Sequence, residues 1–379
     1  MPVGGVRVNS REIAQDTTLA LDASTQTGGL LSFTVGEDPR EVIRAELYLE
    51  IDGGAPGTAG KRFTLNGRGQ FFLPEVGTYN KNFTHLYPSV ILPVSELNRG
   101  VNRFQFLCDK GQSSGGFYYI REAQLRLELS RRHPVIASLG LQGFNALVKA
   151  EVASARSEEL RLELVASDET RVARAEFQGF YFGYDENGDT ASYGWHGLTS
   201  KGVPKAYIGI AESFPFQAKW NTEMLPGQQE MAVRSTVKFK AVEGIEFLTP
   251  AIGGLMALKP RGVRVGVLTS RSVPAPFTSA DDMRRAVTID VDVEPGAIQR
   301  AVLNFVSRGE KGTRFSWSVN GNALAALDLQ EDGIDLGQLE IPARFLRRGS
   351  NRIELNRPEE GKVVEVLLPG PGLAIRSRQ

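Results

Sequence analysis

Apolar and polar residues alternate with a period of two along much of this chain. Leu47, Leu49 and Ile51 alternate with Tyr48 and Glu50, and Leu160, Leu162 and Leu164 alternate with Arg161 and Glu163. The same period returns at Val263, Val265 and Val267, and at Val287, Ile289, Val291 and Val293 against Asp290, Asp292 and Glu294. Successive side chains of a strand point to opposite faces, so the pattern predicts antiparallel strands with one face on a core and one face wet. Helical spacing is weak. Its best segments are short pieces near Asp281 to Arg285 and Ala343 to Leu346, too little to build the crossovers of a parallel sheet. The pattern predicts an all-β protein.

Turn chemistry places the boundaries. SRRHPV at 130–135 combines charge, a residue held extended before proline and a fresh apolar start, and a second break lies near LKPRGV at 258–263. The division predicted is an N-terminal arm at 1–25, then three tandem β-sandwich domains at 26–131, 132–258 and 259–379. With 41 glycines and 19 prolines spread between apolar runs, the chain has the composition of many strands joined by many turns. Its one cysteine, Cys108, cannot form an intrachain disulfide, so each sandwich is expected to bury a core of its own.

The chain writes one phrase twice: LPVSELNRGVNRFQFL at 92–107 and IPARFLRRGSNRIEL at 341–355. With Gly100 set on Gly349, Pro93, Arg99, Asn102 and Arg103 match Pro342, Arg348, Asn351 and Arg352, while Leu97 and Phe104 meet Leu346 and Ile353. Each copy follows a strand ending in Asn-Gly, at Asn66-Gly67 and Asn320-Gly321, a pair that tolerates the positive φ of a tight hairpin turn. At these residues, over roughly 20–130 and 260–375, the chain resembles the jelly-roll sandwiches of the galactose-binding-like group that accompany many carbohydrate-active enzymes. The resemblance implies a jelly-roll fold for both outer domains and transfers no sugar-binding residue, so a purely structural sandwich stands beside a lectin.

Between the copies, RVARAEFQGFYFGYDENGDTASYGWHG runs on to KAYIGIAESFPFQAKW and MAVRSTVKFKA. This stretch resembles the immunoglobulin-like or fibronectin-type modules of bacterial surface and secreted proteins. The turn Asp185-Glu186-Asn187-Gly188-Asp189 offers oxygens at alternate positions, which suits calcium through Asp185, Asn187 and Asp189; a solvated hairpin is the other reading. It is not an EF-hand, because its glycine is fourth and His196 stands twelfth. Tyr181, Tyr184, Tyr193, Trp195 and His196 crowd the same region, and aromatic faces beside polar loops stack on sugar rings as well as filling interfaces. Trp220 and Trp317 read as core.

Catalytic signals fail in context. The three histidines, His85, His133 and His196, are not at metal-ligand spacing with one another, so no zinc site is predicted. The G-x-S-x-G match at 111–115 sits in a polar loop rather than at a strand-to-helix elbow. GGAPGTAGKR lacks the first glycine and the magnesium-binding hydroxyl of a phosphate loop. The segment between Gly67 and Pro93 is longer and more aromatic than its counterpart after Gly321, and it supplies the better binding candidates: Tyr79, Asn80, Asn82, His85 and Tyr87.

Lysine plus arginine equals aspartate plus glutamate at 44 each, so no long-range field gathers nucleic acid. No run approaches the roughly 20 apolar residues that cross a bilayer, and the first residues lack a secretory signal. The reading is a non-catalytic bacterial protein of jelly roll, immunoglobulin-like sandwich and jelly roll. It is expected outside the cell or on its surface, with the cytoplasm left open, binding carbohydrate through loop aromatics including Trp195 and His196. The alternative is a structural subunit of a filament, capsid or surface, assembling by strand addition from the arm through TTLALDA.

Overall fold

The computed structural model describes residues 5–10, 19–22, 29–52, 59–74, 85–109, 117–152, 158–187, 191–200, 202–240, 242–274, 276–280, 285–330, 333–358 and 361–378. Its elements are nearly all strands, broken by one short α-helix at Pro134–Ser138 and a few 3-10 turns. This is the all-β, multi-sandwich architecture that period-two alternation predicts. Of the two helical candidates, Ala343–Phe345 is a single 3-10 turn, and 281–284 lie outside the described residues. Trp220 and Trp317 are buried, as is Cys108.

The first sandwich sets the sheet Leu30–Val35, Gly100–Asp109, Ala59–Leu65, Arg68–Phe72 against the paired strands Val42–Asp52 and Phe117–Leu129. The third repeats this plan. Ala286–Val291 pairs with Gly349–Asn356, which pairs with Arg314–Val319, and in the other sheet Gly372–Arg378 lies between Val263–Thr269 and Ile298–Gly309. In the middle, Ala146–Val152, Glu159–Ala166 and Gln217–Asn221 form a small sheet opposite Val172–Tyr184 and Gln228–Phe239. All three sandwiches enter a long central strand alike, through a 3-10 turn after Asp38, Asp168 and Glu294. Ala45, Ala175 and Ala301 then enter the core at matching places, followed by Leu47, Phe177 and Leu303.

Gly5–Ser10, within the stretch expected as an arm, is a strand hydrogen-bonded along both edges. On one side it runs antiparallel to Phe117–Leu129, with Val6 opposite Leu129 and Ser10 opposite Leu125. On the other it runs antiparallel to Ile245–Leu248, with Gly5 opposite Leu248 and Val8 opposite Ile245. Leu19–Asp22, from TTLALDA, pairs with Phe117–Ile120. The sequence carries a sign of this, for Gly5-Val6-Arg7-Val8 recurs as Gly262-Val263-Arg264-Val265, where the strand again pairs with the last strand of its sandwich.

The shared strand joins the first and middle sandwiches into one 12-stranded sheet. One apolar cluster accordingly runs through both, from Phe33 to Ala257, where the sequence suggested separate cores. The third sandwich keeps its own cluster, from Phe277 to Ile375.

The doubled phrase is a buried polar lock. Asn102 is fully buried, its Oδ1 accepting from the amide of Asn98 at 2.7 Å and from Asn66 Nδ2 at 3.0 Å, while its Nδ2 donates to the carbonyls of Asn98 and Gly100 at 2.8 and 3.0 Å. Asn351 repeats this bond for bond with Arg347, Asn320 and Gly349. Asn66 and Asn320 take left-handed φ of 53° and 50°, and each returns a second bond, to the carbonyls of Glu96 and Phe345. A buried amide whose donors and acceptor are all engaged costs nothing in desolvation that its bonds do not repay, whereas truncation strands every partner. Asn102→Ala and Asn351→Ala should each lower unfolding stability by about 2–4 kcal/mol, read as a shift in urea midpoint, since several buried groups lose partners worth about 1 kcal/mol each.

Candidate functional site

Alternation predicts a wet face for Tyr48 and Glu50, and here the structure differs. Glu46, Tyr48 and Glu50 point away from the core, yet each is less than a tenth exposed. The cover is a hairpin of the middle sandwich, Leu198–Ser200 paired with Val203–Lys205. Tyr48 Oη donates to the Thr199 carbonyl at 2.9 Å and accepts from its amide at 2.8 Å, and Ser200 Oγ donates to Glu50 Oε2 at 3.3 Å. Burial pushes the Tyr48 phenol well above its ordinary value, so it stays a neutral donor. Lys205 Nζ donates to the Ile334 carbonyl at 2.5 Å, carrying the same hairpin onto the third sandwich.

The acidic loop proposed for calcium docks beside it. Asp185 Oδ1 accepts from the amide of Asn187 and Oδ2 from Ser192 Oγ, both at 2.8 Å. Asn187 Oδ1 accepts from the amide of Tyr87 at 2.6 Å, and its Nδ2 donates to the Tyr87 carbonyl at 3.2 Å. Both residues thus spend oxygens on protein partners; Asp189 lies outside the described residues. Tyr184 Oη donates to the Gly370 carbonyl at 2.8 Å, and its ring lies so close to Gly372 that a Cβ there would meet Tyr184 Cδ2 at 2.4 Å. Tyr48, Tyr87, Tyr184, Leu198, Val306 and Leu367 form a small apolar cluster where the three sandwiches meet. Of the aromatic residues crowded in this stretch of the sequence, Tyr184 belongs to this junction.

His196 is buried inside the loop, its ring stacked on Tyr181 at 3.7 Å between centroids. Nδ1 faces Glu186 Oε2 at 3.2 Å and Nε2 faces the Tyr181 carbonyl at 3.0 Å, so both ring nitrogens meet acceptors. Burial opposes the imidazolium, but the hydrogen bond to Glu186 and the charges of Glu186 and Asp185 outweigh it, and the pKa is raised above the ordinary 6.5. Of the other predicted binders, Tyr79, Asn80 and Asn82 lie outside the described residues. The backbone of His85 pairs with Asp52, and Tyr87 is buried in the junction.

Where hairpin and sheet part, a cleft of about 450 Å³ remains, and Trp195 stands in its wall. The floor is the outward row of the fused sheet. Glu46, Gln124 and Arg126 come from the first sandwich, and Glu176, Gln178 and Arg234 from the middle one. Arg126 lies over the Tyr48 ring at 3.9 Å and Arg234 over Trp195 at 4.0 Å. Arg234 also donates through Nε and Nη2 to Gln178 Oε1 at 3.0 and 2.8 Å. Past Trp195 the same face turns aromatic: Phe180 lies 5.7 Å from Trp195 and 6.3 Å from Tyr193, and Phe182 lies 5.3 Å from Tyr193, whose ring is half exposed. Sequence reading singled out Trp195, Tyr87 and Asn187 of the lining, and Tyr193 beyond it, but missed the floor. The one available signal was the polar phase of the strands around Leu47 and Phe177, which could not say that the two strands lie in one sheet.

No protein-family model matches the chain, and no curated protein matches it. Among solved structures it is similar to a β-porphyranase of glycoside hydrolase family 86 from the human gut bacterium Bacteroides plebeius, at 11% identity over 62% of this chain and 37% of that one, with a TM-score of 0.25. It is also similar to a structure of infectious bursal disease virus, Gt strain, at 10% identity over 97% of this chain and 72% of that one, with a TM-score of 0.18. The chain spans little more than a third of the length of the porphyranase. Likenesses of this size carry no argument about ligand or activity.

The loop yields a pH prediction. A group whose pKa is raised by folding contributes stability that is complete below its unfolded value and drains as pH rises through the folded one. His196→Gln should therefore lower the melting temperature clearly at about pH 6 and much less at about pH 9. A loss equal at both would show that the ring acts by packing alone.

Proposed function

We propose that this chain is a non-catalytic carbohydrate-binding protein that takes a glycan in the cleft between its first and middle sandwiches. The observation that carries this is the floor: planar amides and guanidiniums of Gln124, Gln178, Arg126 and Arg234 line the cleft beside the indole of Trp195. Sugars present ring faces of C–H groups edged by hydroxyls, so a site needs an aromatic surface together with converging hydrogen-bond partners. Both are present, on strands rather than flexible loops, and rigid placement lowers the ordering cost of binding.

The non-catalytic part rests on the carboxylates. Glycoside hydrolysis needs an acid held protonated beside the leaving oxygen and a second carboxyl across the bond. In the cleft Glu46 lies 3.3 Å from both Arg44 and Arg126, Glu176 pairs with Arg174, and Glu246 pairs with Lys238. Glu50 and Glu122 are direct cross-strand partners, but neither lines the cleft. The sequence resemblance of the outer sandwiches to the galactose-binding-like group, with the secreted or surface location expected from it, suits a glycan ligand. In the structural-subunit alternative the arm donates TTLALDA, of which Leu19–Asp22 pairs along one edge with Phe117–Ile120 within the chain, while Gly5–Ser10 is paired along both edges.

A glycan array with purified protein tests the proposal. Binding to at least one glycan class is expected, and Trp195→Ala should weaken it about tenfold or more, since a stacked aromatic contributes on the order of 1.4 kcal/mol. An array without binding, or with binding indifferent to Trp195→Ala, would remove this reading.

A further inference from the structure

Building on the carbohydrate reading, we infer that the ligand is a neutral glycan, recognised through hydroxyls and ring faces, and that uronate-bearing or sulfated chains are excluded. The cleft is rich in charge, with Arg44, Arg126, Arg234 and Lys238 set among Glu46, Glu176 and Glu246, and each of these carboxylates is held by a cation. Glu46 lies between two guanidiniums, Arg44 and Arg126, at 3.3 Å from each. Lys238 bonds Glu246 and Arg174 bonds Glu176.

The two arginines nearest the aromatic wall are also committed. Arg126 donates through Nη2 to Gln124 Oε1 at 3.1 Å as well as facing Glu46, and its plane covers Tyr48. Arg234 donates to Gln178 Oε1 from two nitrogens, and its plane covers Trp195. Sites for carboxylate or sulfate groups present guanidinium forks edge-on to the anion. Here the forks turn inward and the faces are stacked. An anionic chain would bring its charge against Glu46, Glu176 and Glu246, each set in the same floor, and would have to break existing pairs to gain new ones.

A neutral chain disturbs none of these pairs. It meets an immobilised mosaic of donors and acceptors, and the row Trp195, Phe180, Tyr193 and Phe182 continues past the cleft as a surface for further sugar rings. Affinity for such a ligand does not depend on screening, whereas ion-to-ion contacts weaken as the Debye length falls from about 10 Å at 0.1 M salt to about 3 Å at 1 M.

The test is titration calorimetry of the full chain at about 0.05 M and about 0.5 M salt, a span across which screening of charge–charge contacts changes greatly. The two probe sets are neutral hexose oligosaccharides and, separately, oligogalacturonate with sulfated dextran. Saturable binding of a neutral probe, changing less than about twofold between the salts and lost in Trp195→Ala, is the expected result. Saturable binding confined to the anionic probes, weakening severalfold with salt, overturns the neutral assignment while leaving carbohydrate binding in place. Neutral binding that persists in Trp195→Ala overturns the assignment to this cleft, and binding to neither set overturns the carbohydrate reading itself.

Discussion

The two-sided pairing of Gly5–Ser10 is the constraint on which the rest depends. A strand has two hydrogen-bonding edges, and in an isolated sandwich an outer strand leaves one of them to water. Here both edges are used, one by Phe117–Leu129 and the other by Ile245–Leu248. Two sandwiches that would otherwise be beads on a string become one sheet with a continuous outward face. The cleft floor is assembled from that face, so it exists only because the strand closes the gap.

Fusing the sheets creates a second requirement, because a polar face that meets another domain must satisfy its groups without bulk water. The Leu198–Lys205 hairpin meets it with backbone. Thr199 offers both its amide and its carbonyl to Tyr48, and Ser200 reaches Glu50. Asn187 does the same with Tyr87, and Tyr184 with Gly370. On the far side, Glu158 binds both Lys259 and Arg376, and Arg300 lies between Glu223 and Glu340, so the third sandwich is tied on through ion pairs. Loops that look from sequence like exposed recognition surfaces serve as mortar, and a smaller opening with well-placed walls is left.

Legibility tracked the range of the interaction. The Asn-Gly turns at Asn66 and Asn320 and the buried rows at Leu160, Leu162 and Leu164 or Val287, Ile289 and Val291 were readable because φ preference and period are properties of neighbouring residues. The repeated phrase was readable as a scaffold, though its four-bonded asparagines were not, since Asn66 and Asn102 are brought together by a hairpin. Of the cleft lining, only Trp195, Tyr87 and Asn187 were read from the sequence, the last as a calcium ligand. Arg126, Gln178 and Arg234 look like ordinary solvated strand positions one at a time and acquire meaning as neighbours across a sheet.

By itself, then, the sequence determined the class of structure, the doubled scaffold, the turns and which side of each strand is apolar, because these follow from local stereochemistry and a period of two. Tertiary structure alone decided which polar faces stay wet. Glu46, Tyr48 and Glu50 alternate as any exposed row would, and they are buried because Phe117–Leu129 pairs beside them and a hairpin of another sandwich comes to lie above them. Alternation records which side of a strand avoids the core; what covers the other side is set by pairings between distant segments, and those leave no periodic trace in the chain.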